Sequence, residues 1–207
     1  MPVLRVRDGK FADLATLCEI ESAAFAGDRL SLRSFRRLIS RPSAHIRVAV
    51  ADGAVVGYNL VLTRAGSTVA RLYSIAVAAA ARGQGYGERL LADAERQAAR
   101  AGAAILRLEV RRDNRSAIHL YERRRYRAIG TYPQYYADGC DALRYEKSLP
   151  RRAARHAAQE QGGGDTAEDR SPAGCDVFPR FMKSLSSAAR GRPAYQASPA
   201  ASTPIRV

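Results

Sequence analysis

The chain has 207 residues, enough for one complete domain with an appendage or two very small ones, and too few for a large multidomain machine. Its formal net charge of +14 rests almost wholly on arginine, since Lys10, Lys147 and Lys183 are the only lysines; a chain that uses arginine so widely weakens the usual reading of basic charge as a nucleic-acid footprint. Cys18, Cys140 and Cys175 show no C-x-x-C pairing, His45, His119 and His156 share no ligand spacing with them, and no apolar run is long enough for a signal peptide or a membrane span, so the expectation is a cytoplasmic, soluble protein with no metal site and no disulfide framework.

Val3 to Arg7 alternates as a strand, and Ala12 to Phe25 places Leu14, Leu17, Cys18, Glu21 and Ala24 on one helical stripe. Ser31 is a candidate N-cap for a second helix carrying Leu32, Phe35, Leu38 and Ile39, which Arg41-Pro42 stops. The runs 44–51 and 55–63 flank Asp52-Gly53, a pair suited to the positive φ angles of a tight hairpin turn. A turn over 64–67 leads to a strand over 70–78, which implies an antiparallel meander. A helix over 85–101 follows, with Gly102 at its C-terminal cap. Then come a strand over 105–111, a short helix capped by Asn114, and two last strands over 126–131 and 141–149 joined by an aromatic loop. The order β-α-α-β-β-β-α-β-α-β-β predicts a mixed α+β layer.

Composition changes near Pro150. The last 57 residues hold twelve Ala, six Ser, five Gly and five Pro, a mixture too poor in large apolar side chains to offset its ordering entropy. The expected organisation is a folded domain over 1–149 and a disordered tail over 150–207, whose apolar island is 177–182. The tail's nine basic and five acidic residues leave +10 of the +14 on the folded part.

Between a strand and a helix stands Arg82-Gly83-Gln84-Gly85-Tyr86-Gly87, and a glycine-rich turn at a helix N-terminus converges backbone N–H groups on an anion such as phosphate. By itself this could equally be a tight turn. The pattern Arg-x-x-Gly-x-Gly directly after Leu72 to Val77 resembles the pyrophosphate loop of the GNAT superfamily, the acyl-coenzyme-A-dependent N-acyltransferases. Leu108 to Arg111, Asn114, Ala117-Ile118, Leu120 to Glu122, Tyr135-Tyr136 and Asp141 to Leu143 resemble the bacterial ribosomal-protein N-terminal alanine acetyltransferases within it, nearly continuously from Leu72 to Leu149.

The resemblance implies a GNAT fold: a mixed, mostly antiparallel sheet of about six to seven strands with flanking helices. It implies acetyl-CoA as acyl donor, bound by the backbone of Ile75, Ala76 and Val77, by Arg82, Gly83, Gln84, Gly85, Tyr86 and Gly87, and by Asn114, which could also be a plain helix cap. The Val77 N–H becomes the candidate oxyanion donor. Glu109 takes the position of the general base, its alternative being an exposed strand-edge carboxylate paired with Arg107 or Arg111. Tyr121 takes the position of the general acid, its alternative being a core aromatic beside Ile118. Twelve residues separate the two, which allows both to face one cleft. Tyr135 and Tyr136 are candidates for walling the acceptor slot, or for covering a sheet edge.

The implied reaction is direct acetyl transfer to a primary amine of a protein or peptide N-terminus, a ribosomal protein among them. The alternatives are a small-molecule amine, a lysine side chain, or a non-catalytic coenzyme-binding or ribosome-associated protein. A monomer or homodimer is expected, without membrane partners and with nucleic-acid binding not favoured. Two departures stand out. Arg124-Arg125-Tyr126 replaces the family's Leu-Gly-Phe, which is expected to add charge beside the acceptor cleft, and 78–81 lacks the usual proline and acidic residue.

Overall fold

The computed structural model describes residues 4–25, 27 and 29–150. The expected tail, Pro150 apart, and its apolar island lie outside the described residues.

Seven strands form one sheet in the order β1-β2-β3-β4-β5-β7-β6. β1 (Arg5–Asp8) leads through a 3-10 turn into α1 (Leu14–Ala24). Asp13 closes that turn by accepting from the Lys10 N–H at 2.7 Å. α2 (Leu32–Ile39) begins where Ser31 accepts from the Ser34 N–H, and it buries Phe35 and Leu38. β2 (Ala44–Ala51) and β3 (Ala54–Leu62) form the hairpin, with Asp52 at φ 49° and Gly53 at φ 81°. β4 (Val69–Val77) continues the antiparallel meander.

After the glycine loop come α3 (Tyr86–Arg100), β5 (Ile105–Arg111), α4 (Arg115–Arg123), β6 (Arg127–Tyr132) and β7 (Ala142–Ser148). This is the expected order, with boundaries shifted by one or two residues. One cluster joins α3 and α4 to the sheet through Leu72, Ile75, Leu90, Leu91, Leu106, Leu108, Val110 and Tyr121. Among the described residues no helix is long and apolar enough to cross a membrane.

The seam between β4 and β5 positions everything that follows. Theirs is the sheet's parallel pairing, and its register covers only Val69–Ile105, Ala70–Leu106 and Arg71–Arg107. Directly beyond Arg71, β4 carries a bulge: Val61 pairs with Leu72 and Leu60 with Ser74, so Tyr73 is the extra residue. A bulge bends its strand and sharpens its twist, and here the β4–β5 pairing ends just before it, leaving a wedge between the two strands.

Candidate active site

β4 stays bonded to β3 along the wedge. The Ala78 N–H donates to the Val56 carbonyl at 2.9 Å, and since backbone polarity alternates along a strand, Ala76 also faces β3 while Ile75 and Val77 present N–H and C=O toward the edge β5 has left. Close approach of β3 keeps β4 in place: a Cβ added at Gly57 would stand 2.7 Å from the Ala76 carbonyl oxygen and 3.0 Å from Leu90 Cδ1.

At the mouth, Gly83 and Gly85 adopt φ 77° and 74°, angles that side-chain-bearing residues rarely reach. Gly85 is the N-cap of α3 and offers no side-chain cap, so the first amides of α3 lack intrahelical acceptors and point outward with the positive end of the helix dipole. A cleft of about 390 Å³ runs from this loop along β4. Of the residues expected to bind the coenzyme, Ile75, Ala76, Val77, Arg82, Gly83, Gly85, Tyr86 and Gly87 line it, whereas Gln84 and Asn114 do not. Asn114 is buried and its side chain accepts from the Ala117 N–H at 3.1 Å, the capping arrangement.

The opposite wall was not foreseen. Ser116, His119, Leu120 and Arg123 of α4 line the cleft; their three- and four-residue spacing is a helical stripe, beside the apolar positions Ala117, Ile118 and Tyr121 that dominate the pattern of this helix.

Glu109 and Tyr121 do not share this cleft. Leu108 and Val110 pack in the same cluster as Tyr121, so strand alternation sends the Glu109 side chain to the other sheet face. There it is 5% exposed, with Oε2 2.6 Å from Arg71 Nη2 and Oε1 3.8 Å from Arg144 Nε. An exposed edge carboxylate is therefore excluded: Arg107 pairs with Glu146, and Arg111 with Asp113 and Asp138. Arg71, absent from the expectations, also donates to the Tyr135 hydroxyl at 2.8 Å. Burial opposes its charge, but Glu109 and Tyr135 outweigh that and hold the guanidinium above its ordinary value.

Tyr121 is fully buried, edge-on to Tyr126 at 5.6 Å and tilted to Tyr145 at 6.4 Å, and its hydroxyl has no hydrogen-bond partner. Burial, and then Tyr136, push the phenol well above its ordinary range, so it stays protonated at neutral pH. A buried, unpartnered hydroxyl forfeits about 1–3 kcal/mol and calls for an explanation. Tyr135 and Tyr136 link the two faces, their rings meeting edge-on at 5.2 Å. Tyr135 stacks on Tyr132 at 5.7 Å, while Tyr136 lies under the Arg111 guanidinium at 4.9 Å.

Of the two arginines after α4, both expected to add charge beside the acceptor cleft, one is committed to α3. Arg124 turns to α3, 2.9 Å from Glu95 and 3.7 Å from Glu88. Arg125 takes the missing glycine's left-handed conformation, φ 63°. Its N–H donates to the Glu122 carbonyl and the Tyr126 N–H to that of Tyr121, each at 2.9 Å, so the Schellman stop survives without glycine.

The family described as Acetyltransferase (GNAT) matches residues 14–126, more than half of the chain. N-alpha-acetyltransferase RimI of Mycobacterium tuberculosis (strain ATCC 25618 / H37Rv) is 34% identical over 136 residues, covering 63% of this chain and 84% of its own length. An uncharacterised Mycobacterium leprae (strain TN) protein, ML0378, is 37% identical over 137 residues, covering 63% of this chain; the chain spans only 37% of that protein's length. The crystal structure of the Escherichia coli ribosomal-protein-S18-alanine N-acetyltransferase superposes with a TM-score of 0.66 at 24% identity, over 75% of this chain and 99% of its own, a likeness of fold. With the glycine loop at a helix N-terminus, the splayed strands and these matches in agreement, the chain belongs to the GNAT family of acetyltransferases.

Proposed function

We propose that this protein transfers an acetyl group from acetyl-CoA directly to a primary amine, the α-amine of a protein or peptide N-terminus. The observation that carries this reading is the wedge: beyond Arg71 the outward backbone groups of Ile75 and Val77 line a cleft that begins at the glycine loop. Bound acetyl-CoA supplies an activated acyl group as a thioester. The residues present fit it, since Gly83 and Gly85 leave open space at the loop backbone and the outward edge of Ile75 and Val77 lines the cleft.

In this reading the amides of the Arg82–Gly87 segment hold the diphosphate, with Arg82 and Arg123 adding charge, while Asn114, buried outside the cleft, acts as the cap of α4. The Val77 N–H stabilises the negative charge that develops on the thioester oxygen, a contribution of about 3–4 kcal/mol for donors of this kind. Glu109 accepts the amine proton, directly or through water, from the face where Tyr135 and Tyr136 wall the acceptor. Tyr121 gives its proton to the departing thiolate, whose parent pKa is near 8.5. An α-amine ordinarily titrates near pH 8, against about 10.4 for a lysine amine, so it is already partly neutral at pH 7 and asks less of Glu109. The matched relative's name, an N-alpha-acetyltransferase, supports the same acceptor class, and a ribosomal protein is the natural first candidate because a Bacillus subtilis (strain 168) relative, 32% identical over 139 residues, is named a putative ribosomal-protein-bS18-alanine N-acetyltransferase.

Mass spectrometry of acetyl transfer over peptides with free and blocked N-termini, with lysine and polyamine controls, tests the acceptor. Transfer confined to free N-termini is expected; transfer to the polyamine alone overturns the assignment.

A further inference from the structure

The carboxylate of Glu21 takes no part in this chemistry, yet its partners lead directly to the strand that does. Glu21 lies on α1, fully buried, and its Oε1 accepts from the Leu30 N–H at 2.8 Å. Its Oε2 accepts from the hydroxyl of Tyr58 on β3, and that hydroxyl lies 2.8 Å from Oγ of Ser74 on β4. Tyr58 and Ser74 are also fully buried. Three polar side chains from three elements thus meet away from solvent, where each is costly unless bonded to the others and where the bonded set selects one arrangement.

Ser74 directly follows Tyr73, the extra residue of the β4 bulge, and directly precedes Ile75. A bulged strand competes with its unbulged register, and a one-residue slip sends every following side chain to the opposite face. In the slipped register Ser74 would turn toward α3, leaving the Tyr58 hydroxyl without it. We propose that Glu21, Tyr58 and Ser74 form a positioning network that locks the β4 bulge and so aims the open edge of Ile75 to Val77 into the cleft. The catalytic consequence rests on the proposed function; the structural one does not.

Tyr58→Phe and Ser74→Ala each remove one hydroxyl, and the Tyr58 ring keeps its edge contact with Phe35 at 5.6 Å. In the full chain, amide exchange followed by mass spectrometry is expected to quicken about tenfold over residues 74–78 in either variant, with α3 and β7 unchanged. Turnover is expected to fall about tenfold while coenzyme A affinity by calorimetry stays within about twofold, and the double variant is expected to lose no more than either single one, as members of one network do. Unchanged exchange at 74–78, exchange raised evenly across β2 to β4, or losses that add in the double variant would overturn the network's role. If the unmodified protein transfers no acetyl group, the proposed function fails while the exchange pattern still decides the positioning claim.

Discussion

The two halves of the sheet solve burial differently. From β1 to β4 the strands form an antiparallel meander; between α1 and the sheet the buried polar groups Glu21, Tyr58 and Ser74 bond one another. Across β5, β7 and β6 one face is instead a lattice of ions, with Arg107 and Arg127 bracketing Glu146, and Arg71 and Arg144 bracketing Glu109. Only three parallel residue pairs join the halves, and the wedge lies just past them. In the proposed reaction the meander half aims the β4 edge and the ionic half supplies the carboxylate.

The sharpest way to break this contrast is Glu109→Gln. Loss of the proposed proton acceptor is expected to lower kcat/KM by about 10²-fold or more, with coenzyme A binding preserved by calorimetry. Because the change also strips the buried Arg71 of its counter-charge, a drop of up to about 3 kcal/mol in denaturant stability should accompany it. Equal activity in a folded variant would remove Glu109 from the mechanism.

In the meander half, Gly57→Ala presses on the Ala76 carbonyl at 2.7 Å and on Leu90. Backbone cannot yield as a flexible side chain does, so about 1–3 kcal/mol of stability should be lost, and turnover should fall because β4 itself must move. Stability and turnover both at the unmodified level would show that β4 is not held by close packing.

A smaller effect, of opposite sign, is expected after α4. Arg125 is held at φ 63°, a conformation that costs an L-residue about 1–2 kcal/mol, so Arg125→Gly should raise the melting temperature, offset partly by glycine's greater unfolded-state freedom. No gain would mean that the arginine side chain compensates locally.

The smallest effect concerns pH. His45 on β2 is held below its ordinary value of 6.5, chiefly by burial. The unfolded chain therefore binds this proton first, and the stability His45 contributes is present above about pH 6.5 and declines as pH falls through that value. Deeper in acid, Asp13 follows: its bond from Arg7 lowers it below its ordinary range. Urea melts between pH 7.5 and 5.5, compared with a His45→Gln variant, isolate the first step; an identical slope in both would assign it elsewhere.

Local chemistry made much of the fold legible. Asp52-Gly53, the Ser31 and Asn114 caps, Gly102 and the alternation of 105–111 each announce their element through neighbours in the chain. The glycine loop was legible for the same reason, because a left-handed turn before a helix needs residues without a Cβ. The Ser116, His119 and Arg123 wall was readable in principle but was masked by the apolar stripe of the same helix. Arg71 and the Glu21 network carried no such signal: Arg71 is one arginine among many, and Glu21 sits on an otherwise apolar helical stripe.

Residue order thus settles which segments are helices, strands and turns, and which loop can hold an anion, since those properties depend on backbone angles and side-chain period within a few residues. It does not settle that Glu109 meets Arg71 across β4 and β5, that Tyr121 of α4 packs on the sheet face opposite the Glu109 side chain, or that Arg124 turns to α3. Those outcomes depend on a bulge and on strand register, through which residues far apart in the chain become neighbours only once the sheet has assembled.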